Sequence, residues 1–294
     1  EDIFYKLKEE AVPMHEWALL IFTICLQAAI GGTVMLAIFY KQIEKLGKEK
    51  AFQVLRMPLV AIAAFSIVGL AAAFAHLGSP GNALNTIRNL ATSWQSREIL
   101  LTGLFIGIVV LTVALAFAQK KANIWLIGLS AVVGLITVYS MGAIYANTLV
   151  SGWNSVNTYL SFYGTAFVLG PVLVVSCMVP VIKNESDEWL HSIMKNSFII
   201  AVFGIALQLV GTAVFATSMP EVNMIAGTNA LTVLEAYSGT VAARWMIEIA
   251  GIAVLGYLAF AKSRKSSLYI GYAALVALFV AEGMSRYVFY ILGA

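Results

Sequence analysis

The chain has 294 residues, 61% of them hydrophobic and only 11% charged, with a net charge of +3. A mean hydropathy of +0.88 excludes an ordinary water-soluble domain and points to a polytopic membrane protein. No nucleic-acid, phosphate-cradling or dinucleotide motif is present, so nucleic acid and nucleotides are not among the partners the chain predicts.

Eight apolar segments predict an all-α protein of eight transmembrane helices, at 17–40, 52–76, 98–119, 122–147, 159–182, 190–217, 240–261 and 267–290. Each is near or above the ~20 residues a helix needs to cross the hydrocarbon core. The whole of 1–294 reads as a single transmembrane domain, opened by a short surface segment, 1–14. The first helix begins His15-Glu16-Trp17, with Trp17 as an interface anchor. Its Gly31-Gly32 pair allows close helix packing. The second helix ends at His76, and the connection 77–97 follows. There Ser79-Pro80 has the N-cap and first-turn chemistry of a new short helix. Residues 82–91 alternate apolar and polar side chains as a short amphipathic helix in the interface would. Helices 3 and 4, joined around Lys120-Lys121, are predicted antiparallel neighbours. Helix 5 carries Gly170-Pro171, a predicted kink. The polar stretch 218–239 fits either a loop or a short re-entrant piece. Cys25 and Cys177 lie inside apolar helices without a CxxC spacing and read as unpaired, small buried hydrophobes.

Loop charges predict orientation. Lys41, Lys45, Lys48, Lys50, Arg56, Lys120, Lys121, Lys183, Lys195, Lys262, Arg264 and Lys265 belong to one side. The other side carries Lys6, Lys8, Arg88 and Arg97, with Arg244 at a helix entrance. The positive-inside rule puts the first set in the cytoplasm. Both termini, 77–97 and 218–239 then face outward.

That orientation gathers the ionisable groups of the helices in the outward half. Helix 1 starts there with His15 and Glu16, helix 2 ends there at His76, and helix 3 starts there with Arg97-Glu98. Arg244 and Glu248 lie one turn apart on helix 7, as do Glu282 and Arg286 on helix 8. Charges inside a membrane default to functional candidates. A histidine and a carboxylate near an apolar cleft suit a membrane-soluble molecule that exchanges protons, such as a quinol losing two protons with two electrons. The bland alternative keeps 244/248 and 282/286 as intrahelical structural pairs. Haem is disfavoured by the histidines: His191 falls on the opposite side from His15 and His76, and those two sit at helix ends. The sequence therefore predicts no haem and no metal in this chain, and electrons from a quinol would leave to a partner on the outer face.

Two blocks resemble a known family. His15-Glu-Trp-Ala-Leu-Leu-Ile-Phe-Thr and His76-Leu-Gly-Ser79-Pro80, with Ala83, Asn85, Asn89, Ser93 and Arg97-Glu98, resemble the membrane anchor subunit of bacterial dimethyl sulfoxide reductase, as does Glu282-Gly-Met-Ser-Arg286-Tyr-Val-Phe-Tyr290. The resemblance implies an anchor without haem that binds menaquinol or menaquinone. Its partners would be a four-cluster iron–sulfur subunit and a molybdopterin catalytic subunit, held on the outer face of the membrane and in contact with its lipid. It implies quinol-site roles for His76 and Glu98 as the proton-handling pair. His15, Ser79, Pro80, Arg97, Glu282 and Arg286 are placed around them, Glu282 and Arg286 by the topology argument. Arg97 departs from the Asn associated with that position in the family. Arg244 and Glu248 fall outside the motif and read as structural support. Alternatives are a polysulfide-reductase-type anchor of another sulfur or oxyanion enzyme, working toward quinone reduction, and an inert anchor. A secondary transporter would show repeated broken helices, of which one Gly-Pro is thin support.

Overall fold

The computed structural model describes residues 16–76, 85, 87–182, 187–218, 230–260 and 267–293. The helices run in order α1 (Glu16–Glu44), α2 (Lys48–His76), α3 (Trp94–Gln119), α4 (Ile124–Ala146), α5 (Val156–Ile182), α6 (Asp187–Ser218), α7 (Ala230–Ala236), α8 (Ser238–Phe260) and α9 (Ser267–Ile291). Among the described residues, all of these except the short α7 are long and apolar enough to cross a membrane, which gives eight candidate spans. The protein is an all-α polytopic membrane protein. Exposed large apolar side chains such as Val68, Leu104, Val132, Phe203, Val210, Ile249 and Val276 lie on these spans, as helices that are apolar all round require.

Caps start and stop the helices beyond their apolar stretches. Ser93 caps α3 by accepting from the Ser96 N–H at 3.3 Å, so that helix begins four residues before the apolar run. Lys120 ends it in a left-handed conformation (φ 49°), its N–H bonded to the Ala116 carbonyl, and Asn123 caps α4. Gly47 (φ 86°) makes the turn between α1 and α2. Of the expected helix over 82–91, the described part shows Asn85 helical and a 3₁₀ turn over Ile87–Asn89. Arg97 closes the end of this segment, its Nε and Nη2 donating to the Leu90 and Ala91 carbonyls at 2.8 and 2.7 Å. Within 218–239, α7 is a two-turn helix directly before α8. The segment 1–14 lies outside the described residues.

Two helices organise the bundle. α1 packs on α2, α4, α5 and α9, and α5 packs on α1, α2, α4, α6 and α9. They are the most deeply buried spans. They cross at Gly31 and Gly170, where a Cβ on Gly31 would collide with the Ala166 carbonyl and one on Gly170 with the backbone of Gly31. A second backbone approach, Gly164 against Gly204, joins α5 to α6. α5 continues through Pro171 and Pro180 as one helix. Cys25 and Cys177 are free thiols, as their placement implied. Side chains at these crossings pack into one large apolar cluster drawn from α1 to α6 and α9 and a smaller one, with Ile24, Ala28, Val168, Leu169 and Leu278, joining α1, α5 and α9.

Gly31→Val is expected to lower the unfolding temperature in detergent sharply, since the neighbour it meets is backbone; overpacking of this kind costs at least ~1–3 kcal/mol. Gly107→Ala, where an added Cβ meets nothing within 4 Å, should leave the same thermal scan unchanged.

Candidate functional site

α9 carries the centre of the site. Glu282 and Arg286 lie one turn apart and are 1% and 2% exposed. Each finds its partners on other helices. The Glu282 carboxylate accepts from Thr165 Oγ1 of α5 at 2.8 Å and from Gln208 Nε2 of α6 at 2.6 Å. Arg286 Nη2 donates to Gln27 Oε1 of α1 at 2.9 Å and lies 3.4 Å from Thr165 Oγ1. The guanidinium carbon sits 3.7 Å above the Phe162 ring, a cation–π contact in a site with little water to compete. Four helices therefore meet through one carboxylate and one guanidinium, with Thr165 touching both. The intrahelical pair expected as the bland alternative gives way to a hub between helices.

On α8 the intrahelical reading holds. Arg244 Nη2 lies 2.9 Å from a Glu248 carboxylate oxygen, and the side chains are 6% and 0% exposed. The Arg244 guanidinium also stacks 3.7 Å from the centre of the Trp245 ring. α8 and α9 run antiparallel in contact, so the two pairs lie at one depth, with Glu248 near enough to Glu282 to interact electrostatically.

A tyrosine pair extends the hub toward α3. Tyr290, one turn beyond Arg286, has its hydroxyl 3.3 Å from that of Tyr145 on α4 and 3.5 Å from Thr23 Oγ1 on α1. It donates to the Leu19 carbonyl at 3.5 Å, which leaves it free to accept from Tyr145. Glu98, near the start of α3, interacts electrostatically with both tyrosines. Around them Trp153, Phe162 and Phe289 pack against Tyr145.

His76 is the last residue of α2, and Glu98 lies in the second turn of α3, which packs on α2. Consecutive spans alternate in direction, so both positions belong to the end of the bundle where α1 begins. Glu282 and Arg286 belong to the same end, but behind the tyrosines. Arg97 serves the connection instead, clamping the turn at 90–91 and stacking over Trp94 at 4.3 Å. His15, Ser79 and Pro80 lie outside the described residues. Sequence reasoning gave no role to Gln27, Tyr145, Thr165, Gln208 or Tyr290. Polar side chains inside long apolar runs are the signal that could have gathered them. Among the described residues no cluster of three or more His, Cys, Asp or Glu could hold a metal ion.

Comparison with known proteins places this architecture. A family model described as the DMSO reductase anchor subunit (DmsC) matches residues 11–292. The C subunit of the anaerobic dimethyl sulfoxide reductase of Haemophilus influenzae is 25% identical over 282 residues, 94% of either protein. The corresponding C subunit of Escherichia coli is 30% identical over 164 residues, 54% of this protein and 56% of that one. The YnfH subunit of an Escherichia coli anaerobic dimethyl sulfoxide reductase is 27% identical over 168 residues, 56% of this protein and 58% of that one.

Glu282→Leu is expected to destabilise the bundle by ~3–5 kcal/mol, because it strands the Arg286 charge. Glu282→Leu combined with Arg286→Met should recover part of that loss, read as a coupling in a double-mutant cycle of thermal unfolding in detergent. A double variant as unstable as the sum of the two single ones would contradict the hub.

Proposed function

The chain belongs to the DMSO reductase anchor subunit (DmsC) family, and from that premise we propose that it is the menaquinol-oxidising subunit of a respiratory molybdenum and iron–sulfur oxidoreductase. The family match over nearly the whole chain is the observation that carries this reading. His76 and Glu98 are its proton-accepting pair. Support comes from their positions at the ends of packed neighbouring helices, α2 and α3, at one end of the bundle. A quinol head there enters laterally from lipid and gives up its hydroxyl protons to the imidazole and the carboxylate. The two electrons pass to an iron–sulfur subunit docked on the same face, which feeds a molybdopterin subunit. The quinone chemistry belongs to the bound molecule; this chain binds it, orients it and takes the protons.

Loop charge supports the placement of this face outside. The opposite ends carry twelve Lys and Arg residues against five here. Protons released from quinol then stay on the outer side, and the chain works as a dehydrogenating site.

Glu98→Gln, purified as the assembled complex, is expected to lose at least ~100-fold in quinol-dependent turnover, as removal of a general base does. Turnover driven by a dye that bypasses the anchor should stay at the wild-type level. Orientation is checked separately with a membrane-impermeant thiol reagent on intact cells: Asn154→Cys should label and Lys120→Cys should not. The reverse pattern overturns the outward placement without touching the site.

A further inference from the structure

The end of the bundle opposite His76 and Glu98 carries its charge unevenly. Residues 41–56 and 120–121, around the α1–α2 and α3–α4 turns, hold seven Lys and Arg against two Glu. Residues 183–195 and 262–266, which complete that end in chain order, hold five against three Asp and Glu. Orientation in the membrane needs basic loops on one side but no concentration of them at one corner.

Packing brings the two basic turns together. The Tyr40 hydroxyl, in the last turns of α1, donates to the Ala122 carbonyl at 2.8 Å. Lys120 Nζ lies 5.5 Å from the centre of the Phe52 ring on α2, and that ring packs edge-on against Phe117 of α3. Lys48 and Arg56 stand one helical turn before and after Phe52, so they share its face of α2. Three exposed cations therefore gather around one ring, Lys48 and Arg56 by helical spacing and Lys120 by contact. Lys120 also ends α3 in the left-handed conformation (φ 49°), a position that usually falls to glycine.

Next to these cations the surface turns apolar. Met57 and Val60 on α2 and Leu111 and Phe117 on α3 are exposed large hydrophobic side chains on packed neighbouring spans. Trp125, 83% exposed in the first turn of α4, stands where an indole marks the headgroup level. A soluble acidic protein would match the charges but not the apolar seam that continues from them. A lipid with an anionic head matches both.

We propose that this corner binds an anionic phospholipid, its phosphate held among Lys48, Arg56 and Lys120 and its acyl chains along the α2–α3 seam. The Arg56 guanidinium can fork onto two phosphate oxygens, and the two ammonium groups act as point charges beside it. The inference stands on the cation cluster and the seam, and it does not depend on the quinol chemistry assigned to the other end of α2 and α3.

Native mass spectrometry of the intact complex, titrated in detergent with phosphatidylglycerol or phosphatidylcholine, tests it. The first phosphatidylglycerol should bind more tightly than the first phosphatidylcholine, and excess inorganic phosphate should not displace it. Arg56→Gln with Lys120→Gln should weaken that binding at least about tenfold, the worth of two cations beside an anionic head. Lys195→Gln, in the other half of the same end, should leave it unchanged. Lys48→Gln with Arg56→Gln repeats the test should the first pair assemble poorly. Equal binding of the two lipids, wild-type affinity in both double variants, or displacement by inorganic phosphate would overturn the proposal. The second of these outcomes would leave the cluster to an acidic protein, and the third to a free anion.

Discussion

A carboxylate and a guanidinium buried one turn apart on α9 are the constraint on which the bundle turns. Charged groups in this setting cost several kcal/mol each unless paired and hydrogen-bonded. The hydrogen bonds of Glu282 and Arg286 come from Gln27 on α1, Thr165 on α5 and Gln208 on α6, Arg286 bonding through Nη2. Apolar helices in lipid can rotate about their axes at little cost, since every face is equally oily. The hub removes that freedom from four of them. Its worth is specificity of packing more than raw stability.

The glycine crossings make the hub possible. Gly31 against Gly170 brings the α1 and α5 backbones together, and one turn away on each helix Gln27 and Thr165 reach the same guanidinium. Gly164 against Gly204 does the same for α5 and α6, with Gln208 one turn beyond. Small residues that look like generic packing glycines therefore set the registers in which the polar side chains meet. From the hub, Tyr290 and Tyr145 carry polar contact on to α4 and to the neighbourhood of Glu98 on α3. The start of α3, which carries Glu98, and the α6, α8 and α9 side of the bundle thus share one buried polar seam.

Much of the architecture was legible because crossing a bilayer demands long apolar runs. The eight spans emerged from hydropathy alone. Their starts did not, since the residues just before Glu98, Tyr159 and Leu190 are helical yet largely polar, and an apolar criterion passes over them. The pairing of Arg244 with Glu248 followed from the spacing of four. The partners of Glu282 and Arg286 did not, because spacing cannot tell whether a charge prefers its own helix or a neighbour. Thr165 was invisible for the same reason: one hydroxyl among many becomes special only when a glycine crossing places it between two charges. The amphipathic pattern at 82–91 carried no sign of its end, where Arg97, seven residues beyond Leu90, takes the Leu90 and Ala91 carbonyls.

The central claim is that His76 takes a proton from menaquinol as electrons leave for the iron–sulfur partner. It is tested most directly by mixing the assembled His76→Ala complex with menadiol and following reduction of the partner's clusters by electron paramagnetic resonance. The account predicts clusters that stay oxidised with menadiol yet reduce fully with dithionite. Reduction by menadiol at the wild-type rate would contradict it.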